Sequence, residues 1–173
     1  MNFEEKTVKT ERLFKGKILN LRRDQITLPD GRPAEREVVE HSGGSAIICE
    51  RDGKIFLVKQ FRYPYKEVVL EIPAGKLNDG EDPMQTAIRE LEEEAGIIAD
   101  SVELVFTVYP SPGYTNEKIY IYRAHGLKDT VAKPDDGEFL SGAWYDKKQL
   151  LDMINDGTIK DGKTLIALLS VLR

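Results

Sequence analysis

The chain has 173 residues, with 30 acidic and 25 basic side chains, a formal net charge of −5 and 40% hydrophobic residues; this is the profile of one globular domain able to bury a real core. With 32% charged residues, a mean hydropathy of −0.40 and no apolar run near the roughly 20 residues a membrane helix needs, a transmembrane reading is excluded. A pI near 5.2 argues against nucleic acid bound on a broad basic surface, and the acidic start, where an export signal needs basic and then apolar residues, leads us to expect a soluble cytoplasmic protein.

Residues 1–41 alternate polar and apolar positions through Ile18, Leu19, Leu21, Ile26 and Leu28, turn at Pro29-Asp30-Gly31 and resume over Glu35–Val39, which predicts a β-hairpin or small meander. We expect these residues to form a small N-terminal β-domain and 42–173 to form the main domain. Ser45–Cys49 and Lys54–Gln60, joined by Asp52-Gly53, read as a second and more buried hairpin, with the lone Cys49 as a small core residue. Val68–Ile72 is a short strand ended by Pro73, and Ala74–Gly80 is expected to be loop. Next comes a helix over Pro83–Ala95: Asp82 is its N-cap, Pro83 suits the first turn and Gly96 the left-handed exit, with Met84, Ala87, Ile88, Leu91 and Ala95 facing the core. Strands over Ser101–Val108 and Lys118–Ala124 flank the loop Pro110–Glu117. A strand at Gly142–Tyr145 precedes helices over Gln149–Asn155 and Thr164–Leu172, the last with an apolar face at Leu165, Leu168, Leu169 and Leu172.

The acid of the central helix is its informative feature. At 100° per residue Glu90 and Glu94 lie within about 40° of each other and Glu93 falls just beyond, while Glu92 points elsewhere. A solvated acidic face would explain the run, at a cost. Like charges at i,i+4 oppose the helix by about 0.2–0.5 kcal/mol per pair, and anions in the last turn meet the negative end of the macrodipole at about 0.3–1 kcal/mol each. A hard divalent cation removes the conflict and holds waters that can become nucleophiles.

Gly75, five residues, Glu81, seven residues and then Arg89-Glu90-Leu91-Glu92-Glu93-Glu94-Ala95-Gly96-Ile97 meets all nine specified positions of the Nudix box. The chain therefore resembles the Nudix hydrolases, which act on nucleoside diphosphates linked to another group. Pro112, sixteen residues beyond Gly96 in Ser111-Pro112-Gly113-Tyr114-Thr115-Asn116-Glu117, is similar to the loop of the ADP-ribose pyrophosphatase branch. The resemblance implies an α+β Nudix fold, an α/β/α sandwich around a mixed sheet with a small antiparallel N-terminal β-domain. In this branch that domain is exchanged across a homodimer.

Carried over by position, the resemblance implies Mg²⁺ or Mn²⁺ held by the carbonyl of Ala74 with Glu90, Glu94 and Glu138. Glu93, Glu94, Asp136 and Glu138 would be the catalytic acids, the base falling on Asp136, Glu138 or Glu93. Gly75, Glu81, Arg89 and Gly96 would support the loop and helix, Arg89 bracing the carboxylates from the side. Arg62 matches an arginine that holds a phosphate, a task suited to a bidentate guanidinium. Arg36, Glu37 and His41 occupy ligand-touching positions, His41 where an arginine is frequent. Ser111, Pro112, Gly113 and Glu117 would line the terminal-ribose side, and Lys17 and Ile18 stand where the branch has a partner-subunit adenine shelf that is usually aromatic. The implied reaction is hydrolysis of ADP-ribose to AMP and ribose 5-phosphate. The alternatives are a broader nucleoside diphosphate sugar pyrophosphatase and a module that binds ADP-ribose without cleaving it.

Overall fold

In the computed structural model, which describes residues 2–172, the N-terminal segment is a three-stranded meander: β1 (Lys6–Lys15), β2 (Leu19–Thr27) and β3 (Pro33–His41), antiparallel in the order β1-β2-β3. The predicted turn closes as Gly31 donates its N–H to the Leu28 carbonyl at 2.9 Å and Leu28 donates to Arg32 at 2.8 Å. All ten residues of β1 are exposed, so burial imposes no clear alternation on its sequence. The chain divides into two compact units, and the first takes in Tyr109–Lys118 together with the residues up to Gly43. That loop is bound to β3: Val39 donates to the Tyr114 carbonyl at 2.8 Å, Asn116 donates back to Val39 at 3.2 Å, and the Asn116 side-chain oxygen accepts the His41 N–H at 2.9 Å.

The second unit is built on β4 (Gly44–Arg51), β5 (Lys54–Arg62), β6 (Glu67–Glu71), β7 (Ala74–Lys76), helix α1 (Pro83–Ala95), β8 (Ile97–Ile98), β9 (Ser101–Val108), β10 (Ile119–His125), β11 (Lys128–Asp129), β12 (Leu140–Asp146), and helices α2 (Lys147–Asn155) and α3 (Gly162–Val171). Seven strands form one sheet in the order β12-β5-β4-β10-β9, with β6 on β5 and β7 on β4. The sheet is mixed, because β10 runs parallel to β4 while its other pairings are antiparallel.

Strand alternation divides the core into two layers. Ala46 and Ile48 of β4, with Ile55 and Leu57 of β5, pack against Leu150 of α2 and Ala167 and Leu168 of α3. Ile47 and Cys49, with Phe56 and Val58, point the other way and pack against Ala87 and Leu91 of α1. Helices thus cover both faces of the sheet, giving the expected α/β/α sandwich. No helix of the described residues is long and apolar enough to cross a membrane.

Three local expectations change. Ala74–Lys76 is strand rather than loop: Pro73 ends β6, yet the chain re-enters the sheet antiparallel to Gly44–Ala46, and the Pro73 carbonyl accepts the Ile47 N–H at 2.9 Å. Met84 is 39% exposed rather than part of the core face, which is narrower than the apolar periodicity suggests. The last two helices each begin two residues early, and α3 is N-capped by Asp161, which accepts the Thr164 N–H. Of the four leucines assigned to its apolar face, Leu168 is fully buried and Leu169 exposed.

Candidate active site

The start and stop signals of α1 form as read. The Asp82 side chain accepts the N–H groups of Met84 at 2.9 Å and Gln85 at 3.3 Å, and Gly96 takes φ 61°, ψ 39° while donating to the Glu92 carbonyl. A side chain at Gly96 would also be blocked, because its Cβ would lie 2.7 Å from the Ala132 backbone nitrogen. The segment that leads to Asp135–Glu138 is bound here: Thr130 donates to the Gly96 carbonyl at 2.7 Å and Lys133 donates to the Glu93 carbonyl at 2.9 Å.

The helix presents its carboxylates unequally. Glu90 and Glu94 are 7% and 5% exposed, Glu93 is half-buried and Glu92 is exposed. Glu94 accepts the Ala74 N–H at 2.9 Å, so β7 brings the residue before the box glycine directly onto the helix. A Cβ on Gly75 would lie 1.7 Å from Glu90 Oε1; the absence of a side chain there makes the place in which the Glu90 carboxylate sits. Arg89 braces the group as expected, donating from Nη1 to Glu90 and Glu93, both at 2.7 Å, and from Nε to Glu81 at 3.1 Å. Glu81 in turn accepts the Asn78 N–H at 3.0 Å and closes the loop before the helix.

These contacts set the electrostatics. Burial pushes the Glu94 carboxyl up to about 8, with the charges of Glu90 and Glu138 adding to it against the Ala74 hydrogen bond. Burial likewise raises Glu90 to about 7 despite the Arg89 guanidinium, helped by Glu93 and Glu138. The Arg89 hydrogen bond and the Asn78 N–H draw Glu81 down to about 2. Two carboxylates are therefore held where ionisation is unfavourable, the condition that a cation relieves. The oxygen-only donors fit a hard divalent ion. Among the described residues no three acidic, His or Cys side chains already surround one position; Glu138 reaches the pair through its charge, and the Asp135–Glu138 turn is exposed.

Other predicted site residues are placed as follows. Arg62 ends β5 and is paired with Glu71, from Nε at 2.5 Å and Nη2 at 2.7 Å. In the first unit His41 Nδ1 accepts the Gly43 N–H at 3.0 Å and lies 3.4 Å from Glu117 Oε1, which brings two predicted substrate residues together. Arg36 is engaged by Glu5, whereas the neighbouring Glu37 is exposed. Lys17 and Ile18 stand exposed in the β1–β2 turn, and Ser111, Pro112 and Gly113 open the β3-bound loop, where the Ser111 carbonyl accepts the Tyr114 and Thr115 N–H groups. The sequence reading missed Glu71 and Lys163, which meet beside Arg62. Its available signal was a glutamate inside the apolar strand Val68–Ile72.

Known proteins resemble the chain over most of its length. The NUDIX domain family model matches residues 22–168. The methanol dehydrogenase activator of Bacillus methanolicus is 42% identical over 95% of this chain and 91% of its own length. The ADP-ribose pyrophosphatase of Bacillus subtilis strain 168 is 38% identical over 96% of this chain and 92% of its own. A crystal structure of an ADP compounds hydrolase superimposes with a TM-score of 0.86 at 19% identity, covering 99% of this chain and 94% of that one.

Proposed function

The chain belongs to the NUDIX family, and from that premise we propose that it hydrolyses the pyrophosphate bond of ADP-ribose to AMP and ribose 5-phosphate. The observation that carries this reading is the buried pair Glu90 and Glu94 set against the Ala74–Gly75 backbone. The residues that would hold Mg²⁺ or Mn²⁺ are Glu90, Glu94, Glu138 and the Ala74 carbonyl; the ion supplies charge neutralisation and a bound water of lowered pKa. Glu93, held by Arg89, completes the acidic group. A carboxylate of the exposed turn, Asp136 or Glu138, receives the proton of the attacking water. The unpaired part of the Arg62 fork contacts a phosphate.

In the first unit, the His41–Glu117 pair, Arg36, Glu37 and Ser111–Gly113 are the proposed sugar and nucleotide contacts, with Lys17 and Ile18 offered to a partner subunit. Exposed Val8, Leu13, Phe14 and Ile18 on a three-stranded sheet support a homodimer in which this sheet is exchanged, since so small a sheet covers little apolar surface by itself. The expected compartment is the cytoplasm.

Incubation with ADP-ribose, ADP-glucose, GDP-mannose, NADH and nucleoside triphosphates, with Mg²⁺ or with EDTA, tests the reaction. AMP formed with the highest kcat/KM from ADP-ribose, and lost on chelation, is the expected result. A higher kcat/KM for another sugar moves the assignment to a broader pyrophosphatase, and ADP-ribose bound but intact after long incubation makes the protein a binding module. The 42% identical relative, named for activating methanol dehydrogenase, favours a second reading in which a dehydrogenase is the protein's target. An increase in methanol dehydrogenase turnover on adding this protein would support it.

A further inference from the structure

The mechanism above uses Arg62 but not the side chains that surround it. Glu71 is 2% exposed at the end of β6, and its two oxygens take the Nε and Nη2 hydrogens of Arg62 side by side. Lys163 donates to the same carboxylate from the first turn of α3 and also reaches Asp161 at 3.1 Å. Asp161 accepts the Thr164 N–H at 3.0 Å and the Thr164 hydroxyl at 2.7 Å, and Thr164 Oγ1 accepts the N–H of Ile72, the residue after Glu71, at 2.9 Å. The head of Arg62 is thus tied through a closed series of hydrogen bonds to the start of a helix.

Stability alone does not explain this arrangement. A buried ion pair is commonly no more stabilising than apolar side chains of similar volume, because both charges must be stripped of water. Orientation does explain it. Glu71 occupies one edge of the planar fork, and the other N–H groups make no hydrogen bond among the described residues on an arginine side chain that is 40% exposed. Arg62, Tyr65 and Lys160 also line a cavity of about 340 Å³, so there is room beside the fork. The Glu94 charge adds to the forces that raise the Arg62 pKa, led by the Glu71 hydrogen bond, which places the guanidinium within electrostatic reach of Glu94.

We propose that Glu71 is a positioning residue: together with Lys163 it fixes the Arg62 guanidinium so that the free part of the fork meets a phosphate of the nucleoside diphosphate substrate. This rests on the hydrolase reading given above. A flexible arginine loses rotamer freedom when it binds an anion, whereas one already held in place does not, so the clamp favours substrate binding and alignment.

The test is a double-mutant cycle on the full chain with Mg²⁺ and ADP-ribose, using wild type, Arg62→Ala, Glu71→Gln and the double variant, with thermal melts of all four. Glu71→Gln keeps the shape of the side chain and leaves Lys163 paired with Asp161. We expect it to raise KM about tenfold with a smaller change in kcat, and to change kcat/KM less than about twofold when Arg62 is already alanine. The same cycle with Lys163→Met, which removes the other side of the clamp and serves if Glu71→Gln melts without cooperativity, should show the same non-additivity. Equal losses in both backgrounds, or a Glu71→Gln enzyme identical to wild type, overturn the proposal. So does an Arg62→Ala enzyme with unchanged kcat/KM. Wild type that leaves ADP-ribose and the other nucleoside diphosphate sugars intact refutes the hydrolase reading and the proposal with it, and the wild-type arm alone separates that case from the others.

Discussion

At pH 8, replacing Glu94 by glutamine in metal-free protein should stabilise the fold while removing activity. The Glu94 carboxyl is raised from 4.5 to about 8, chiefly by burial. Each pKa unit is about 1.4 kcal/mol of preference for the protonated form, so ionising this group in the fold costs on the order of 4 kcal/mol by pH 8. Because the folded value lies above the unfolded one, the favourable contribution is fully present below pH 4.5 and is lost as pH rises through about 8. Glutamine keeps an oxygen for the Ala74 N–H and removes the charge, but its amide brings donors that lack a partner, at about 1–3 kcal/mol. The expected net gain is therefore about 2 kcal/mol at pH 8, or roughly 4–8 °C in Tm for a chain of this size. Melts of wild type and Glu94→Gln in EDTA from pH 5 to 9 read it directly: at pH 5, where the wild-type carboxyl is mostly protonated and the unpartnered amide dominates, the variant should melt about 2–4 °C lower, and the order should reverse as pH rises toward 8. A gap independent of pH, or a lower Tm for the variant at pH 8, would refute the reasoning, because burial of the charge would then not be the dominant cost.

Adding Mg²⁺ to metal-free wild type should raise its Tm at pH 8, with about 2.7 kcal/mol gained at 100 times Kd, and Glu94→Gln should respond far less; equal responses would place the ion elsewhere. Gly75→Ala puts a methyl on the Glu90 carboxylate, which can swing away because it ends a flexible side chain. Activity should fall more than about tenfold while the stability of the metal-free protein changes by only about 1 kcal/mol, and a variant with wild-type turnover would mean that Glu90 need not occupy that place. Thr164→Val preserves volume but leaves the Ile72 N–H without its acceptor, so urea melts should show a loss of about 1–3 kcal/mol; no loss would mean that another acceptor replaces the hydroxyl. Glu93→Gln should lower kcat at least about 100-fold with little change in stability, which kinetics and melts on one preparation would compare.

The box from Gly75 to Ile97 was legible because its constraints are local. Asp82 as cap, Gly96 at positive φ and the same-side placement of Glu90 and Glu94 follow from helix geometry within a dozen residues, and the structure bears out these positions. The deep burial of Ser45–Cys49 was equally readable from its unbroken apolar run, although its division into two layers and which helix meets each were not. What only the tertiary structure decided involves partners far apart in the chain. The strand at Ala74–Lys76 exists because Gly44–Ala46 offers it an edge, and the loop Tyr109–Lys118 joins the first unit through hydrogen bonds to Val39 and His41. Periodicity told which face of α1 carries the acid, but the depth at which Glu90 and Glu94 are buried, and so their raised pKa values, depends on the backbone of β7 lying against them. Arg62 could be read as a phosphate-binding arginine, yet its pairing with Glu71 and, through Glu71, with Lys163, 92 residues further on, had no local signature. An acidic excess of five charges is visible in the composition; burial, which composition does not encode, turns part of that excess into a site that a divalent cation would stabilise.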